Sequence, residues 1–227
     1  MPIVKNEGEA ILPEKIGNTS VLFWKITETV SKLRELFNER GCSINCGEIP
    51  AFGSEKRTRE WIAARLLFSQ LCPDLQLRTK PSGAPEIITN KNIFLSISHS
   101  DDYACIATSQ SRLGIDIERI SHKAFKLRTK YLSISDSAAI SNPTMATVAW
   151  SAKEAAYKFA EVQHLSLKDD IKLLHIPSEE NAIAAKIHAN ANMDDISCRI
   201  IYRVFPSFVF TLCAANTQKS MDTTDGK

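Results

Sequence analysis

Trp150-Ser151-Ala152-Lys153-Glu154-Ala155-Ala156-Tyr157-Lys158 sets a carboxylate between two lysines in an otherwise small and apolar run. On a helix, residues four apart share a side, so Glu154 and Lys158 can face one site. Upstream, Leu113-Gly114-Ile115-Asp116-Ile117-Glu118 alternates as a strand does. Asp116 and Glu118 then share one face while Ile115 and Ile117 point into a core. Two carboxylates held side by side repel unless a cation or a proton lies between them. A hard cation such as magnesium takes one or two carboxylates and completes its shell with water and phosphate. Neither stretch decides the matter alone. Ser151-Ala152-Lys153-Glu154 also fits a capping box, with Ser151 at the N-cap and Glu154 reaching back. Charges on a strand edge also guard against aggregation. Lys153 and Lys158 are equally explicable as solvated helix residues, and a surface pair of Glu154 with Lys158 is worth only ~0.3–0.5 kcal/mol.

The chain around these stretches has 227 residues, 44% hydrophobic and 24% charged, enough for one large domain or two small ones on a shared core. A formal net charge of only +2 gives no argument for nucleic acid or a membrane surface, neither of which is expected as a partner, so any basic site must be local. Met1-Pro2-Ile3-Val4-Lys5-Asn6-Glu7 carries charges where a signal peptide needs an apolar core. No apolar run approaches the ~20 residues of a spanning helix. Of the six cysteines only Cys42 and Cys46 are close, and no second pair completes a zinc site. Cys105 and Cys213 sit inside apolar strand-like runs, as small core residues. A reducing, cytoplasmic location is expected.

Taken in order, Val21–Ile26 reads as a strand and Thr27 as the cap of a helix with the stripe Val30, Leu33, Leu36 and Phe37, ended by Gly41. Residues 41–53 read as a loop. A helix from Glu55 to Leu71 follows, apolar along Trp61, Ala64, Leu67, Phe68 and Leu71. Lys56, Arg57, Arg59 and Arg65 give it a basic side, either a solvated face or a contact to an anionic ligand. Lys80-Pro81-Ser82-Gly83-Ala84-Pro85 is a rigid turn. Strands at 93–98, 103–108 and 113–117, joined by short polar turns, suggest an antiparallel meander. Residues 121–149 read as mixed helix interrupted at Pro143, and the helix of the opening stretch runs from Ser151 to Val162. Four strand-length stretches close the fold at 171–176, 182–189, 196–204 and 207–214. Phe208–Ala215 echoes Tyr103–Thr108, a weak sign of internal duplication. The tail 216–227 is polar and expected to be disordered. His99 opens a Ser/Asp-rich turn between Ser98 and Ser100, whose hydroxyl donors suit phosphate. No Gly-rich phosphate loop is present, and no internal Ser-His-Asp nucleophile can be inferred from order alone.

The joint order of these elements resembles the paired signature of the 4′-phosphopantetheinyl transferases. Lys80-Pro81 and Ile97-Ser98-His99-Ser100 look like the coenzyme-A segments of the larger, two-halved (surfactin-type) branch, and the helix at 56–65 looks like that branch's first-half helix. The resemblance covers residues 55–160. It implies an α+β fold of two similar halves, each an antiparallel sheet packed against helices, related by a pseudo-twofold with the active site in the cleft between them. Residues 1–112 would form the N-terminal half and 113–215 the C-terminal half.

The implied activity moves 4′-phosphopantetheine from coenzyme A to a serine of an acyl or peptidyl carrier protein and releases 3′,5′-ADP. The nucleophile then belongs to the partner. By residue-for-residue matching, Asp116, Glu118 and Glu154 would hold Mg2+, with Mn2+ as a substitute. Glu154, directly or through a metal-bound water, would be the base for the carrier serine, and Lys158 would stabilise the pyrophosphate and the departing 3′,5′-ADP. Lys80, Ser98, His99, Asp116, Lys153 and Lys158 would contact coenzyme A, with Pro81 shaping the adenine side and Arg57 contributing from the first-half helix. A monomer is expected. The rival reading is a non-catalytic module of the same fold that binds coenzyme A or a carrier protein.

Overall fold

The computed structural model describes residues 14–175, 181–189 and 194–215. The expected disordered tail and the last residue of the strand expected at 171–176 lie outside the described residues. The chain opens with β1 (Glu14–Ile16) and β2 (Thr19–Lys25), then α1 (Val30–Glu39), α2 (Cys42–Cys46) and α3 (Glu55–Leu71). A hairpin of β3 (Gln76–Thr79) and β4 (Pro85–Ile88) precedes β5 (Phe94–Ser100), β6 (Tyr103–Ser109) and β7 (Leu113–Arg119). Three short helices, α4 (His122–Lys126), α5 (Arg128–Tyr131) and α6 (Ile134–Ala139), lead to α7 (Pro143–Ala160). The described strands β8 (Ile171–Leu173), β9 (Ala182–Ile187), β10 (Ile196–Val204) and β11 (Phe208–Ala215) follow.

Beside the two-stranded β3-β4 sheet, the described residues form two larger antiparallel sheets, ordered β1-β2-β6-β5 and β7-β11-β10-β9-β8. Helices α1 and α3 cover the first through Leu33, Phe37, Ile62 and Phe68. Helix α7 covers the second, burying Ala149, Ala152, Ala156 and Phe159 against Ile183, Ile200 and Tyr202. A third apolar cluster joins the sheets: Val21, Phe23, Cys105 and Ala107 from one meet Leu113, Ile115, Ile117, Phe210 and Leu212 from the other. The expected α+β class, antiparallel sheets packed with helices, is what the structure has.

Several local expectations are corrected. The α1 cap is Thr29, whose side chain accepts from the Lys32 amide, while the Thr27 amide is tied to Glu28. The expected loop 41–53 contains α2, because Gly41 takes a left-handed φ of 60° and restarts the chain so that Cys42 and Cys46, one turn apart, are buried. Pro143 does not interrupt a helix but starts one. It follows the cap Asn142, whose Oδ1 accepts from the Met145 amide at 2.9 Å, and its missing N–H costs nothing in the first turn. The opening stretch therefore lies in the middle of an 18-residue helix. Ser151 caps nothing: its hydroxyl meets Thr211 at 2.9 Å on β11.

The meander also fails. β5 and β6 form an antiparallel pair, but β7 pairs with β11 and becomes the edge of the second sheet.

Candidate active site

Gly114 brings the two signature stretches together. A Cβ at that position would lie 2.1 Å from the Ala155 carbonyl oxygen and 2.4 Å from the Phe159 amide nitrogen. Only glycine lets the α7 backbone rest on β7. Asp116 and Glu118 continue the same face of the strand, so the side chains of α7 flanking that contact reach them.

Lys158 Nζ donates to Asp116 Oδ1 at 2.9 Å, to Ser98 Oγ at 3.0 Å and to the Ile115 carbonyl at 3.0 Å. Asp116 is 4% exposed. Its Oδ1 also accepts from Ser98 Oγ at 2.8 Å, whereas Oδ2 is buried without a hydrogen-bond partner. Glu118 accepts from Trp150 Nε1 at 3.2 Å and from Ser100 Oγ at 3.0 Å. Burial pushes the Glu118 carboxyl up and the Asp116 charge pushes it further, against the hydrogen bonds from Ser100 and Trp150 and the attraction of Lys158. Glu154 is pushed up by burial first, then by Asp116 and Glu118, with Lys158 opposing. Three acids thus share one field.

No three His, Cys, Asp or Glu side chains among the described residues are gathered closely enough to hold a metal ion. The expected metal site is not preassembled. Its chemistry nevertheless fits a hard divalent cation. The donors are all carboxylates, one buried oxygen lacks a partner, and a positive charge would relieve both acids whose protons are held too tightly.

Beside Glu118 opens a cleft of about 420 Å³ lined by Lys56, Glu60, His99, Arg119 and Lys123 among others. His99 is half exposed, with Nδ1 3.3 Å from Glu60 Oε2. Glu60, on α3, is itself 6% exposed. Lys56 donates to Asp101 at 2.9 Å, and the Lys56 ammonium holds the Asp101 carboxyl below its usual range, helped by Arg119. A second cavity of about 280 Å³ shares Glu118, Arg119 and Lys123 and is floored by Ala124, Leu127 and Trp150.

The sequence-derived set does not stay together. Asp116, Glu118, Glu154 and Lys158 converge, and His99 lines the adjoining cleft. Lys153 is 2% exposed and donates to the Leu167 and Ile171 carbonyls at 2.5 and 2.6 Å. Its ammonium is engaged inside the fold and is not available to a nucleotide. Ser98 accepts from the Ile117 amide at 3.2 Å and from Lys158, and donates to Asp116. A hydroxyl has one donor and two acceptor sites, so all are filled. Lys80 borders another cavity with Ile87 and Phe94, 3.7 Å from Glu161. Pro81 is exposed in the β3–β4 turn, and Arg57 is exposed over the Phe52 ring at 5.6 Å. The basic side of α3 is partly structural. Arg59 donates to the Glu28 and Ile26 carbonyls, and Arg65 lies over Trp61 at 4.1 Å with burial lowering its guanidinium to about 10.

Sequence reading missed Gly114, Glu60 and the contact of Trp150 with Glu118. A glycine inside a strand was the available signal for the first. For Glu60 there was none, because a glutamate among helix charges looks solvated.

Residues 112–213 match the family model described as the 4′-phosphopantetheinyl transferase superfamily. The matched segment contains β7, α7 and all four converging residues. No curated protein matches the chain. Among the described residues no helix is long and apolar enough to cross a membrane.

Proposed function

We propose that the chain is a Mg2+-dependent 4′-phosphopantetheinyl transferase that modifies a serine of an acyl or peptidyl carrier protein with coenzyme A as donor. On this reading residues 1–112 and 113–215 are the two halves of a surfactin-type, pseudo-twofold monomer working in the cytoplasm, with the active site in the cleft between them. The observation that carries the reading is the convergence of Asp116, Glu118, Glu154 and Lys158 across the Gly114 contact, within the segment that matches the superfamily.

Asp116, Glu118 and Glu154 would hold the cation. A divalent ion there supplies charge neutralisation to the pyrophosphate of coenzyme A. Glu154, whose proton affinity is raised by burial, takes the proton of the carrier serine, as suits a general base. The serine oxygen bonds to the phosphorus that bears pantetheine, the bond to 3′,5′-ADP breaks, and Lys158 offsets the charge left on the departing group. Lys56, Arg119 and Lys123 around the same cleft offer cations to the nucleotide phosphates, and His99 offers a ring nitrogen beside them. Ser98 and Lys153 leave the nucleotide set for the hydrogen-bonding reasons given above. Lys80, Pro81 and Arg57 stay in it on the family resemblance.

The test is incubation with coenzyme A, Mg2+ and a panel of apo-carrier proteins. Transfer adds roughly 340 Da to the carrier, the mass of phosphopantetheine. Coenzyme A binding without a mass gain on any carrier would favour the non-catalytic module.

A further inference from the structure

The edges of the two sheets meet at β5 and β7, and serine side chains join them. Ser96 Oγ accepts from the Ile115 amide at 3.0 Å, Ser98 from Ile117 at 3.2 Å and Ser100 from Arg119 at 3.2 Å. The strands run in parallel at a constant offset of 19 residues. Alternate positions of β5 thus present hydroxyls in place of carbonyls to the β7 edge, where the Ile115 and Ile117 amides would otherwise be buried without partners.

A hydroxyl differs from a carbonyl in carrying a proton. A serine that accepts from a β7 amide still has one hydrogen to donate. Ser98 directs it to Asp116, at 2.8 Å, and Ser100 directs it to Glu118, at 3.0 Å. Each of these serines therefore binds a β7 amide and the carboxylate one residue before it. Ser96 faces Gly114 in the equivalent relation, and glycine offers it no side chain.

We infer that Ser98 and Ser100 are positioning residues. From the first sheet, they fix the rotamers of the two carboxylates that the second sheet offers to a divalent cation. This rests on the proposed role of Asp116 and Glu118 as cation ligands. Bonds to ligating carboxylates from outside the coordination shell typically matter 10–100-fold in metal affinity.

The ladder contains its own control. Ser96→Ala removes a seam bond without touching a carboxylate, whereas Ser100→Ala removes a seam bond and the hold on Glu118. Ser100→Thr keeps the hydroxyl and suits a strand. Ser100 is half buried at the strand end, so its variants test the idea even if Ser98→Ala does not fold. Mn2+ binding in the presence of coenzyme A, followed by electron paramagnetic resonance, is the readout beside thermal denaturation. The expected result is a loss of affinity of roughly tenfold or more for Ser98→Ala and Ser100→Ala, with Ser100→Thr and Ser96→Ala near wild type. Equal effects of Ser96→Ala and Ser100→Ala, or full Mn2+ affinity in Ser100→Ala, would overturn the positioning role and leave a structural seam. Wild-type protein that binds no Mn2+ and modifies no carrier would instead overturn the cation-site reading beneath it.

Discussion

Lys153 and Glu154 are sequence neighbours with opposite surroundings, and helical geometry explains why. Consecutive side chains on a helix diverge by about 100°. When Glu154 turns toward Asp116, Lys153 turns toward the Leu167 and Ile171 carbonyls. The residue types could be read from the sequence, but their directions could not, because the register of α7 depends on Gly114 contacting Ala155. Burial lowers the Lys153 ammonium from 10.5 to about 8, with Lys172 adding to the effect. Below pH 8 both folded and unfolded chains are protonated there, and the folded state carries the full cost of the buried charge. Between pH 8 and 10.5 the folded chain sheds the proton first, so this site's contribution to stability rises with pH. The limiting size is on the order of 3 kcal/mol. Urea unfolding at pH 7.5 and 9.5 should therefore show wild type gaining on Lys153→Met at the higher pH, while coenzyme A affinity at neutral pH is little changed. An equal gap at both pH values would mean that the ammonium titrates as if in water. For Glu154→Gln the expectation is reversed: carrier modification falls at least 100-fold, the scale of a lost general base, and the urea midpoint moves little. Activity close to wild type would remove Glu154 from the chemistry.

Among the elements, β7 and α7 show where pattern reading succeeds and where it stops. The alternation in Leu113–Glu118 correctly separates the apolar face from the acidic one, since Leu113, Ile115 and Ile117 enter the inter-sheet core. Alternation does not say which strand lies alongside. Short turns before and after β6 favoured a three-strand meander, but β11, distant in sequence, takes the hydrogen bonds. Serine hydroxyls satisfy the other edge, and serine in a strand carries no visible mark of that use. Pro143 misled in a similar way, because a proline looks like a breaker until the Asn142 cap before it is recognised. The close packing of these two elements yields a direct prediction. Gly114→Ala places a methyl group against two backbone atoms that cannot rotate away, so α7 must lift from β7. The cost should reach about 3 kcal/mol, the upper end for overpacking, and carrier modification should be lost with it. Gly53→Ala, where nothing lies within 4 Å of the new methyl, is the matched control. Thermal denaturation of the two variants decides the point. Equal melting temperatures would show that the helix does not rest on the strand.

The whole molecule depends on the core that both sheets share. Phe23 on β2 packs edge-on against Phe210 at 4.8 Å and against Phe205 at 6.2 Å, and Tyr103 of β6 packs on Phe208 at 4.5 Å. The sequence marks these residues as apolar but assigns them no partner. Phe23, Tyr103, Phe208 and Phe210 belong to strands that a helix-covered sheet would bury in any case, and Phe205 to the turn between β10 and β11, so a contact between sheets leaves no periodic trace. The family resemblance implies two halves that meet near residue 112, and the cluster draws on both stretches, with Val21, Phe23, Cys105 and Ala107 before that point and Ile115, Ile117, Phe210 and Leu212 after it. Two units that share so much apolar surface should unfold as one. Fluorotryptophan labelling provides reporters on both sides, at Trp24 and Trp61 before residue 112 and at Trp150 after it. In a urea titration followed by fluorine NMR, all three resonances should report a single midpoint. Phe23→Ala leaves a cavity at the junction and should cost about 3–5 kcal/mol, lowering the three midpoints together. Because β7 carries Asp116 and Glu118 on the face opposite Ile115 and Ile117, the same substitution should also weaken Mn2+ binding in the presence of coenzyme A, without touching a ligand. If the Trp150 midpoint held while those of Trp24 and Trp61 fell, the second sheet would be folding by itself, and the first would be an attached cover rather than part of the site's foundation.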